Sequence, residues 1–574
     1  MLLNPNRGVR EYPDKASREL MLAVIEFFES KGLARVKHDD HERTWYRDFL
    51  EFAKDKRLFS TLLTPPEYGG EGCRWDTWRN CELNEILGFY GLAYWYTWQV
   101  TILGLGPIWM SGNEEVKRKT AEFLRNGGIF AFGLSEKEHG ADLYSSEMTL
   151  YPQEDGTYLA RGEKYYIGNA NEAALVSVFG KVADSDGSVS SDHTTNDYVF
   201  FIVDPQHEKY ECVKNVCNSQ NYVAHFALHD YPVTEAEILS RGRDAWDTSL
   251  NTVNVGKFNL GWASIGICTH AFYEAIDHAA SRRLFNHSVT DFPHIRQFFT
   301  DAYCRLVAMK LFALRGSDYL RTASPDDRRY LLYDPLVKMK VTSQGEEVID
   351  LLWNIIAAKG FEKDMYFEMA ARDIRALPKL EGTVHVNMAL VIKFMKNYFF
   401  DPGEFPDIPE VTEPRHDAFL FAQGPTKGLG KIRFHDYRPV YDRVELANVR
   451  IFRKQIRTFK QLLAAARPNQ EQIKDIDFLL ILGELFTLVV YGQLVLENAP
   501  NHSVDDDIID QIFDLLVRDF SKFALQLYSK TASTARQRFF CRRMIRKPAV
   551  DSARFERVWA KSVYALKGAY SMNE

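Results

Sequence analysis

The sequence predicts an α+β multidomain protein: an N-terminal helical domain, a central antiparallel β-domain, a helical-bundle domain and an extra C-terminal helical domain. Three observations predict this order. Apolar residues recur at helical spacing before residue 125, short β-rich runs replace them up to residue 240, and helical spacing returns after residue 248. A chain of 574 residues is also too long for one ordinary core.

The N-terminal helical domain is predicted over residues 1–127. Its periodicity is illustrated by Leu20, Ala23, Val24, Phe27 and Phe28, which share one helix face. Residues 65–70 contain two prolines and two glycines, so a loop is expected to interrupt the helices there.

The central β-domain is predicted over residues 128–245. Strands are expected near residues 157–160, 175–181, 198–203 and 225–229, because these runs alternate or are rich in β-branched and aromatic residues. The segment 184–196 is rich in Ser, Asp and Thr and is predicted to be a loop.

Two further helical domains are predicted over residues 246–400 and 435–574, joined by a Pro-rich linker at 401–434. Long helices are expected at 260–282, at 295–319 and through 341–358. The most apolar stretch, 478–496, is long enough to span a bilayer at about 20 residues. The acidic Glu484 inside it favours a helix in the core of a bundle instead.

The composition excludes several classes of protein. With 46% hydrophobic and 26% charged residues, the chain is expected to be globular. A net charge of −7 gives no reason to expect nucleic acid as a partner. Seven scattered cysteines predict no metal site and fit a reducing compartment such as a bacterial cytoplasm. No signal peptide or transmembrane helix is expected.

Three stretches carry side chains suited to catalysis. They are residues 132–142 (FGLSEKEHGAD), 162–170 (GEKYYIGNA), and 372–375 (RDIR) followed by 381–383 (EGT). Each stretch alone is weak evidence of a function. Together, in this order on an α–β–α layout, the three stretches resemble the acyl-CoA dehydrogenase family over residues 16–400. Supporting matches are residues 66–70 (PEYGG), 111–115 (SGNEE) and 282–285 (RRLF).

The resemblance implies FAD-dependent α,β-dehydrogenation of an acyl-CoA thioester to the 2,3-enoyl-CoA. Acyl-CoA, and either an electron-transfer flavoprotein or oxygen as electron acceptor, are the implied partners. The alternatives are an acyl-CoA oxidase, a dehydrogenase of acyl-carrier-protein thioesters, and a non-catalytic binding protein on the same fold.

Such a reaction needs a positioned base, because the α-proton of a thioester is only weakly acidic. In the family the glutamate of the Glu-Gly-Thr stretch is this base, which implies Glu381. The alternative is a solvated or salt-bridged turn glutamate. Some members carry the base on the helix after the β-domain, where the gap-free equivalent lies near Lys257. A lysine cannot be that carboxylate, which favours Glu381.

The resemblance also implies the residues that bind the cofactor and substrate. Those implied to contact FAD are Phe132, Leu134, Ser135, Gly140, Ala141, Tyr166, Gly168, Arg282, Phe285, Gln297, Asn354, Lys359, Gly360 and Thr383. Ala141, Lys257 and Gly382 are implied to face the substrate. The Ser135 hydroxyl is expected near the pyrimidine edge of the flavin, and Arg282 and Phe285 are expected to reach FAD across a subunit interface.

The chain departs from the family pattern on the cofactor side. Gly168 stands where the family usually has Thr or Ser, whose hydroxyl lies beside flavin N5. Ala141 likewise lacks a hydroxyl, and Ala357 and Ala358 replace two glycines. At these two alanines the backbone is therefore expected to approach the FAD diphosphate less closely than it does at glycines. The positive charge of Lys359 is expected to compensate for the weaker contact with the diphosphate.

The C-terminal domain resembles the extension of long-chain members and acyl-CoA oxidases, which implies a homodimer. Residues 530–561 are rich in Arg and Lys with interleaved aromatic residues. One interpretation is peripheral contact with an anionic membrane. The other is a solvated helix face beside the acidic residues at 505–507.

Overall fold

The computed structural model describes residues 1–184, 186–189 and 197–573. Of the loop predicted over 184–196, residues 185 and 190–196 lie outside the described part. The chain forms two compact units. The N-terminal unit comprises Val9–Asn259, Thr412–Lys427 and Asn573–Glu574, and the C-terminal unit comprises Met1–Gly8, Leu260–Val411 and Gly428–Met572. The predicted linker at 401–434 contributes to both units, and the five-segment division stays a prediction.

The described residues of the N-terminal unit form eight α-helices. They are α1 (Lys15–Lys31), α2 (Leu33–His41), α3 (Arg47–Asp55), α4 (Leu58–Leu63), α5 (Thr77–Tyr90), α6 (Leu92–Met110), α7 (Glu114–Arg125) and α8 (Gly242–Gly256). Side chains cap several of them, as Asp14 does for α1 and Asn113 for α7. The loop expected at residues 65–70 is confirmed, since it lies between α4 and α5.

The chain between α7 and α8 forms an eight-stranded sheet. Its strands are β1 (Phe130–Gly133), β2 (Thr149–Pro152), β3 (Tyr158–Gly168), β4 (Leu175–Val182), β5 (Tyr198–Val203), β6 (Tyr210–Asn215), β7 (Val223–Val233) and β8 (Ile238–Arg241). The strand order is β6-β7-β3-β2-β4-β5-β8, with β1 beside β4. The four expected strands are confirmed, but the sheet is mixed rather than wholly antiparallel, because β4 runs parallel to both β1 and β2.

Helix α6 is the buried core helix of the N-terminal unit. It is apolar on all sides, and Trp95 and Trp98 are fully buried. It packs against β1 at Gly104, where a Cβ atom would lie 2.7 Å from the backbone nitrogen of Ala131. Glycine at this position therefore permits the close approach of helix and strand.

The C-terminal unit is helical. Its helices are α9 (Asn259–Ser281), α10 (Pro293–Arg321), α11 (Tyr330–Leu336), α12 (Thr342–Ile356), α13 (Tyr366–Asp373), α14 (Val384–Val391), α15 (Met395–Phe400), α16 (Arg438–Asp442), α17 (Ala447–Ala465), α18 (Gln470–Lys474), α19 (Ile476–Asn498), α20 (Asp506–Ser529), α21 (Ala535–Met544) and α22 (Ser552–Val558). A short hairpin, β9 (Arg283–Leu284) and β10 (His287–Ser288), follows α9. The π-helical segment Val337–Val341 joins α11 to α12.

Helix α10 is central to this unit and packs against α12, α19 and α20. Within the described residues, α19 alone is long and apolar enough to cross a membrane by length and composition. However, 83% of its most apolar 18-residue stretch is buried. Its packing against α10 and α20 is that of the core helix predicted for residues 478–496.

Candidate active site

Glu381 lies in a strained turn that leads into α14. Its φ is 51°, and the φ of Gly382 is 84°, so two successive residues occupy the left-handed region. A non-glycine residue there costs about 1–3 kcal/mol and is held only by its surroundings. Thr383 then caps α14, with its hydroxyl accepting from the Val386 N–H. The turn thus fixes the direction in which the Glu381 side chain leaves the backbone.

Two side chains hold this turn by its carbonyl groups. The buried Lys338 donates from Nζ to the carbonyls of Pro378 and Gly382. Asn387 donates from Nδ2 to the carbonyls of Gly382, at 3.0 Å, and Thr383, at 3.1 Å. Both belong to neighbouring helical segments of the same unit, so the turn is anchored to the helical framework.

The Glu381 carboxylate is partly withdrawn from water. The residue is half-buried, and its Oε2 atom is buried. A fully solvated turn glutamate does not describe this side chain. Arg372, in the neighbouring RDIR motif of the sequence, pairs with Glu368 at 2.8 Å.

In the N-terminal unit, a buried ion pair organises the loop after β1. Lys164 Nζ lies 2.7 Å from Glu136 Oε1 and also donates to the Leu134 carbonyl, at 3.0 Å. Burial raises the pKa of the Glu136 carboxyl, but Lys164 and hydrogen bonds from Ser146 and the Glu147 N–H outweigh it and hold that pKa below its usual range. The loop is therefore tied to β3 by a residue that sequence analysis quoted but did not assign.

Ser135 also joins this loop to β3. Its hydroxyl donates to the Tyr165 carbonyl at 2.7 Å, and its own carbonyl accepts from the Tyr165 N–H at 3.0 Å. The hydroxyl expected at the pyrimidine edge thus already has a backbone acceptor. Further along the loop, Gly140 and Ala141 are exposed, while Phe132 is buried in β1 and stacks on Phe200.

At the end of β3, the Tyr166 ring is exposed, and the space beside Gly168 is filled by a side chain from α6. Tyr166 has a φ of 66° and is 58% exposed, so its ring stands clear of the core. A Cβ atom on Gly168 would lie 2.5 Å from Cε1 and 2.9 Å from the hydroxyl oxygen of Tyr96, on α6. The tyrosine therefore occupies the place of the side chain that Gly168 lacks.

The hairpin after α9 projects the predicted Arg-x-x-Phe residues into solvent. Phe285 has a φ of 50° and is 88% exposed, and Arg282 is exposed as well. Gln297, on α10, donates to Asp301 at 2.8 Å and lines a cavity of about 460 Å³, to which Lys547 and Phe555 also contribute. Arg282 and Phe285 are thus exposed and Gln297 is half-buried, and their predicted contact across a subunit interface stays a prediction.

The segment predicted at the FAD diphosphate begins at the end of α12. Ala357 has a φ of 55° and a ψ of −133°, a backbone conformation suited to glycine. Lys359 pairs with Glu362 at 3.0 Å, and Asn354 bonds the Asp350 carbonyl. Gly360 is buried, and a Cβ atom there would lie 3.0 Å from side-chain atoms of Ile356 and Phe367. The close packing at Gly360 is internal to the chain.

Lys257 lies at the end of α8 and is buried. Its Nζ donates to the Asn254 side chain at 2.7 Å. Its predicted contact with substrate, like the other predicted cofactor and substrate contacts, stays a prediction.

No sequence motif assigns a role to Lys338, Asn387, Lys164 or Tyr96. For the first three, a lysine or asparagine inside an otherwise apolar helical or strand pattern indicates a buried residue that binds a polar partner, because buried polar groups need partners. Tyr96 had no such signal, since an aromatic residue in an aromatic-rich helix is more often core.

Comparisons with known proteins agree with the fold. A family model described as "Acyl-CoA dehydrogenase, C-terminal domain" matches residues 244–396. The 3-(aryl)acrylate reductase of Clostridium sporogenes is 24% identical over 341 residues, covering 58% of this chain and 86% of that protein. The mitochondrial very long-chain specific acyl-CoA dehydrogenase of Rattus norvegicus is 24% identical over 383 residues, covering 64% of this chain and 55% of that protein.

A solved acyl-CoA dehydrogenase from Bacillus anthracis, complexed with FAD, has the same fold over nearly the whole chain. Its TM-score is 0.75 at 17% identity, covering 99% of this chain and 98% of that one. The C-terminal domain is therefore part of the shared fold. The chain therefore has the fold of an acyl-CoA dehydrogenase, and its residues 244–396 match the model of that family's C-terminal domain.

Proposed function

We propose that the chain binds FAD and catalyses the α,β-dehydrogenation of an acyl-CoA thioester, with Glu381 as the base. The observation that carries this proposal is the anchored left-handed turn at Glu381 and Gly382, which holds a half-buried carboxylate. Strain of this kind concentrates at functional sites, where a side chain must keep one direction.

The chain's residues fit FAD on its aromatic and basic features. The exposed Tyr166 ring, the outward Arg282 and Phe285, and the backbone of the anchored loop 132–142 suit a flat ring and a diphosphate. Bound FAD would supply the acceptor for the β-hydride, which no side chain provides. Glu381 would take the α-proton, and backbone N–H groups would stabilise charge on the thioester carbonyl.

The experiment is an absorbance spectrum of the purified protein, followed by anaerobic titration with acyl-CoAs of increasing chain length. The proposal predicts a bound flavin that is bleached by at least one acyl-CoA. Reoxidation by oxygen or by an electron-transfer flavoprotein then identifies the electron acceptor. A colourless protein that takes up no added FAD would contradict the proposal.

We further propose a homodimer. The 88% exposed Phe285 at the tip of the β9–β10 hairpin supports a subunit contact there, because a protruding aromatic ring would bury most of its surface on entering a partner. Light scattering should give twice the 66.3 kDa chain mass. A F285D variant should shift the mass toward one chain, and a tetramer would contradict the proposal.

The basic segment also supports a peripheral membrane contact. Between residues 520 and 550 there are eight Lys or Arg residues and no acidic residue. Arg557 pairs with Asp507, as the solvated-face interpretation expects. Among the described residues, however, no carboxylate pairs with Arg536, Arg542 or Arg543, and Phe539 beside them is 47% exposed. Flotation with anionic vesicles, against neutral vesicles at physiological salt, tests this contact; equal recovery would contradict it.

A further inference from the structure

Lys338 is a buried lysine that belongs to none of the sequence motifs. It lies in the π-helical segment Val337–Val341 and is 0% exposed. Its Nζ donates to the Pro378 carbonyl, at 2.8 Å, and to the Gly382 carbonyl. These carbonyls stand on either side of Glu381 in the chain. One side chain therefore ties both ends of the segment that carries the proposed base.

The segment needs this tie because its backbone is strained. Glu381 and Gly382 both have positive φ, and such conformations persist only when the surrounding structure imposes them. An amine removed from water must find acceptors, so the pairing with these carbonyls is specific rather than incidental. The π-helical turn offsets Lys338 from regular α-helical geometry, as such turns often do at functional sites.

We propose that Lys338 is a positioning residue for Glu381. It holds the segment 378–382 so that the carboxylate keeps one orientation, without itself contacting substrate. The inference rests on the proposed function, because it assumes that Glu381 is the base. Misplacement of a reacting group by about 1 Å costs roughly 100-fold in rate, which sets the expected effect.

The test compares K338M with K340M. Methionine keeps an unbranched apolar stem and removes the donors. Lys340 lies in the same segment, is 6% exposed, and has its Nζ 5.8 Å from the centre of the Tyr491 ring. It is therefore a matched buried lysine, and none of its described contacts is with the segment 378–382.

The first readout is hydrogen exchange of the amides at 379–383, which needs no activity. K338M should speed this exchange about tenfold, while K340M leaves it unchanged relative to the rest of the unit. If K338M does not fold, K338Q, whose shorter amide keeps two N–H donors, is measured instead and should show a smaller increase. Unchanged exchange in the folded variant would overturn the proposal.

The second readout is the rate of flavin bleaching by acyl-CoA. K338M should lower the limiting bleaching rate at saturating acyl-CoA roughly 100-fold and leave the half-saturating acyl-CoA concentration within a few-fold, because ground-state binding does not use Glu381. A wild-type bleaching rate in K338M would overturn the positioning role. If none of the acyl-CoAs bleaches the wild-type protein, the proposed function is refuted instead, while the exchange measurement still tests Lys338.

A second inference is carried independently by Gly168. The Tyr96 hydroxyl oxygen lies 2.9 Å from the ideal Cβ position of Gly168, so it falls within the space of an absent threonine or serine side chain. Tyr96 is half-buried on α6, and Val100, one turn later, closes the same space at 2.8 Å. Any side chain at residue 168 would require the tyrosine ring to move.

We propose that the Tyr96 hydroxyl replaces the hydroxyl missing at residue 168 as a hydrogen-bonding partner of the flavin ring. This rests on the proposed function, through FAD binding at the end of β3. A phenol can both donate and accept a hydrogen bond, as threonine and serine do. The departure at Gly168 is then compensated from a different element of the same unit.

The test uses Y96F, which removes one oxygen atom. Y96F should keep FAD bound, shift the flavin absorbance maximum of the substrate-free protein, and slow bleaching about 2- to 10-fold. The pair Y96A/V100A and Y96A/V100A/G168T follows, in which the first two changes make room and the third returns a hydroxyl to residue 168 and should recover the spectrum. A Y96F protein with wild-type spectrum and rate would overturn the proposal, as would no recovery in Y96A/V100A/G168T.

Discussion

At the scale of single residues, Glu381 and Ala357 share a positive φ but differ in what surrounds them. Glu381 is held in the left-handed region by hydrogen bonds to the carbonyls around it. Ala357 has a similar φ of 55° at the end of α12, but no side chain is needed there. The strain at Ala357 follows from an alanine in a position whose conformation favours glycine.

We therefore expect A357G to stabilise the protein. Relief of the positive φ should gain about 1 kcal/mol, after the extra chain entropy of glycine is subtracted. Thermal melting of A357G against the wild type checks this. A358G, at the next residue, is the control and should not stabilise. A lower melting temperature for A357G would contradict the account.

At this scale short motifs indicate the candidate residues, namely the Glu-Gly-Thr stretch, the loop after β1 and the Arg-x-x-Phe residues, and their roles stay predictions. The contacts that hold these residues could not be predicted, because Lys338 and Asn387 approach the turn only after the helices pack. The Tyr96 hydroxyl likewise reaches Gly168 from 72 residues away in the chain.

At the scale of elements, a buried ion pair fastens the loop 132–142 to β3. Lys164 is 0% exposed, and the Glu136 carboxylate also accepts from Ser146 at 2.6 Å and the Glu147 N–H at 2.7 Å. The pairing explains why this loop keeps a defined path despite its exposed Gly140 and Ala141. The loop is therefore sensitive to the charge of Glu136.

Acid should loosen this loop. The pKa of Glu136 lies below its usual range in the folded protein, so its stabilising contribution is complete above the unfolded pKa of about 4.3. The contribution is lost as the pH falls below that value toward the folded pKa. Hydrogen exchange at residues 134–142, corrected for intrinsic rate, should rise over this window. E136Q should remove the pH dependence, and a pH-dependent E136Q loop would contradict the account.

The elements themselves followed well from periodicity. Helices expected at 260–282 and 295–319 are observed at Asn259–Ser281 and Pro293–Arg321. The parallel pairing of β4 with β1 and β2 could not be predicted, since strand order depends on long-range packing. Four strands that are four to six residues long were missed, because short runs give little alternation.

At the scale of the whole molecule, partly buried ion pairs join the C-terminal domain to the helical bundle within its unit. Arg305, on α10, forms a two-point ion pair with Asp519, on α20, at 2.8 and 3.0 Å. Arg315 pairs with Glu497, on α19, at 3.0 Å. The domain is thus an integral part of the fold, in agreement with a solved structure that covers 99% of the chain.

Breaking the Arg305–Asp519 pair should destabilise the C-terminal unit. R305M leaves a buried carboxylate without its main partner and should cost about 3 kcal/mol. The double variant R305M/D519L removes both charges and should recover most of that loss. Thermal melting of the three proteins checks this, and equal melting of R305M and the wild type would contradict it.

The central claim, that Glu381 is the base, is tested most directly by single-turnover flavin bleaching of E381Q. Glutamine keeps the size of the side chain and removes its ability to accept a proton. E381Q should retain FAD and bind acyl-CoA but bleach roughly 1,000-fold more slowly. The exposed E404Q, in the same unit, should bleach at the wild-type rate. An E381Q protein that bleaches as fast as the wild type would contradict the account.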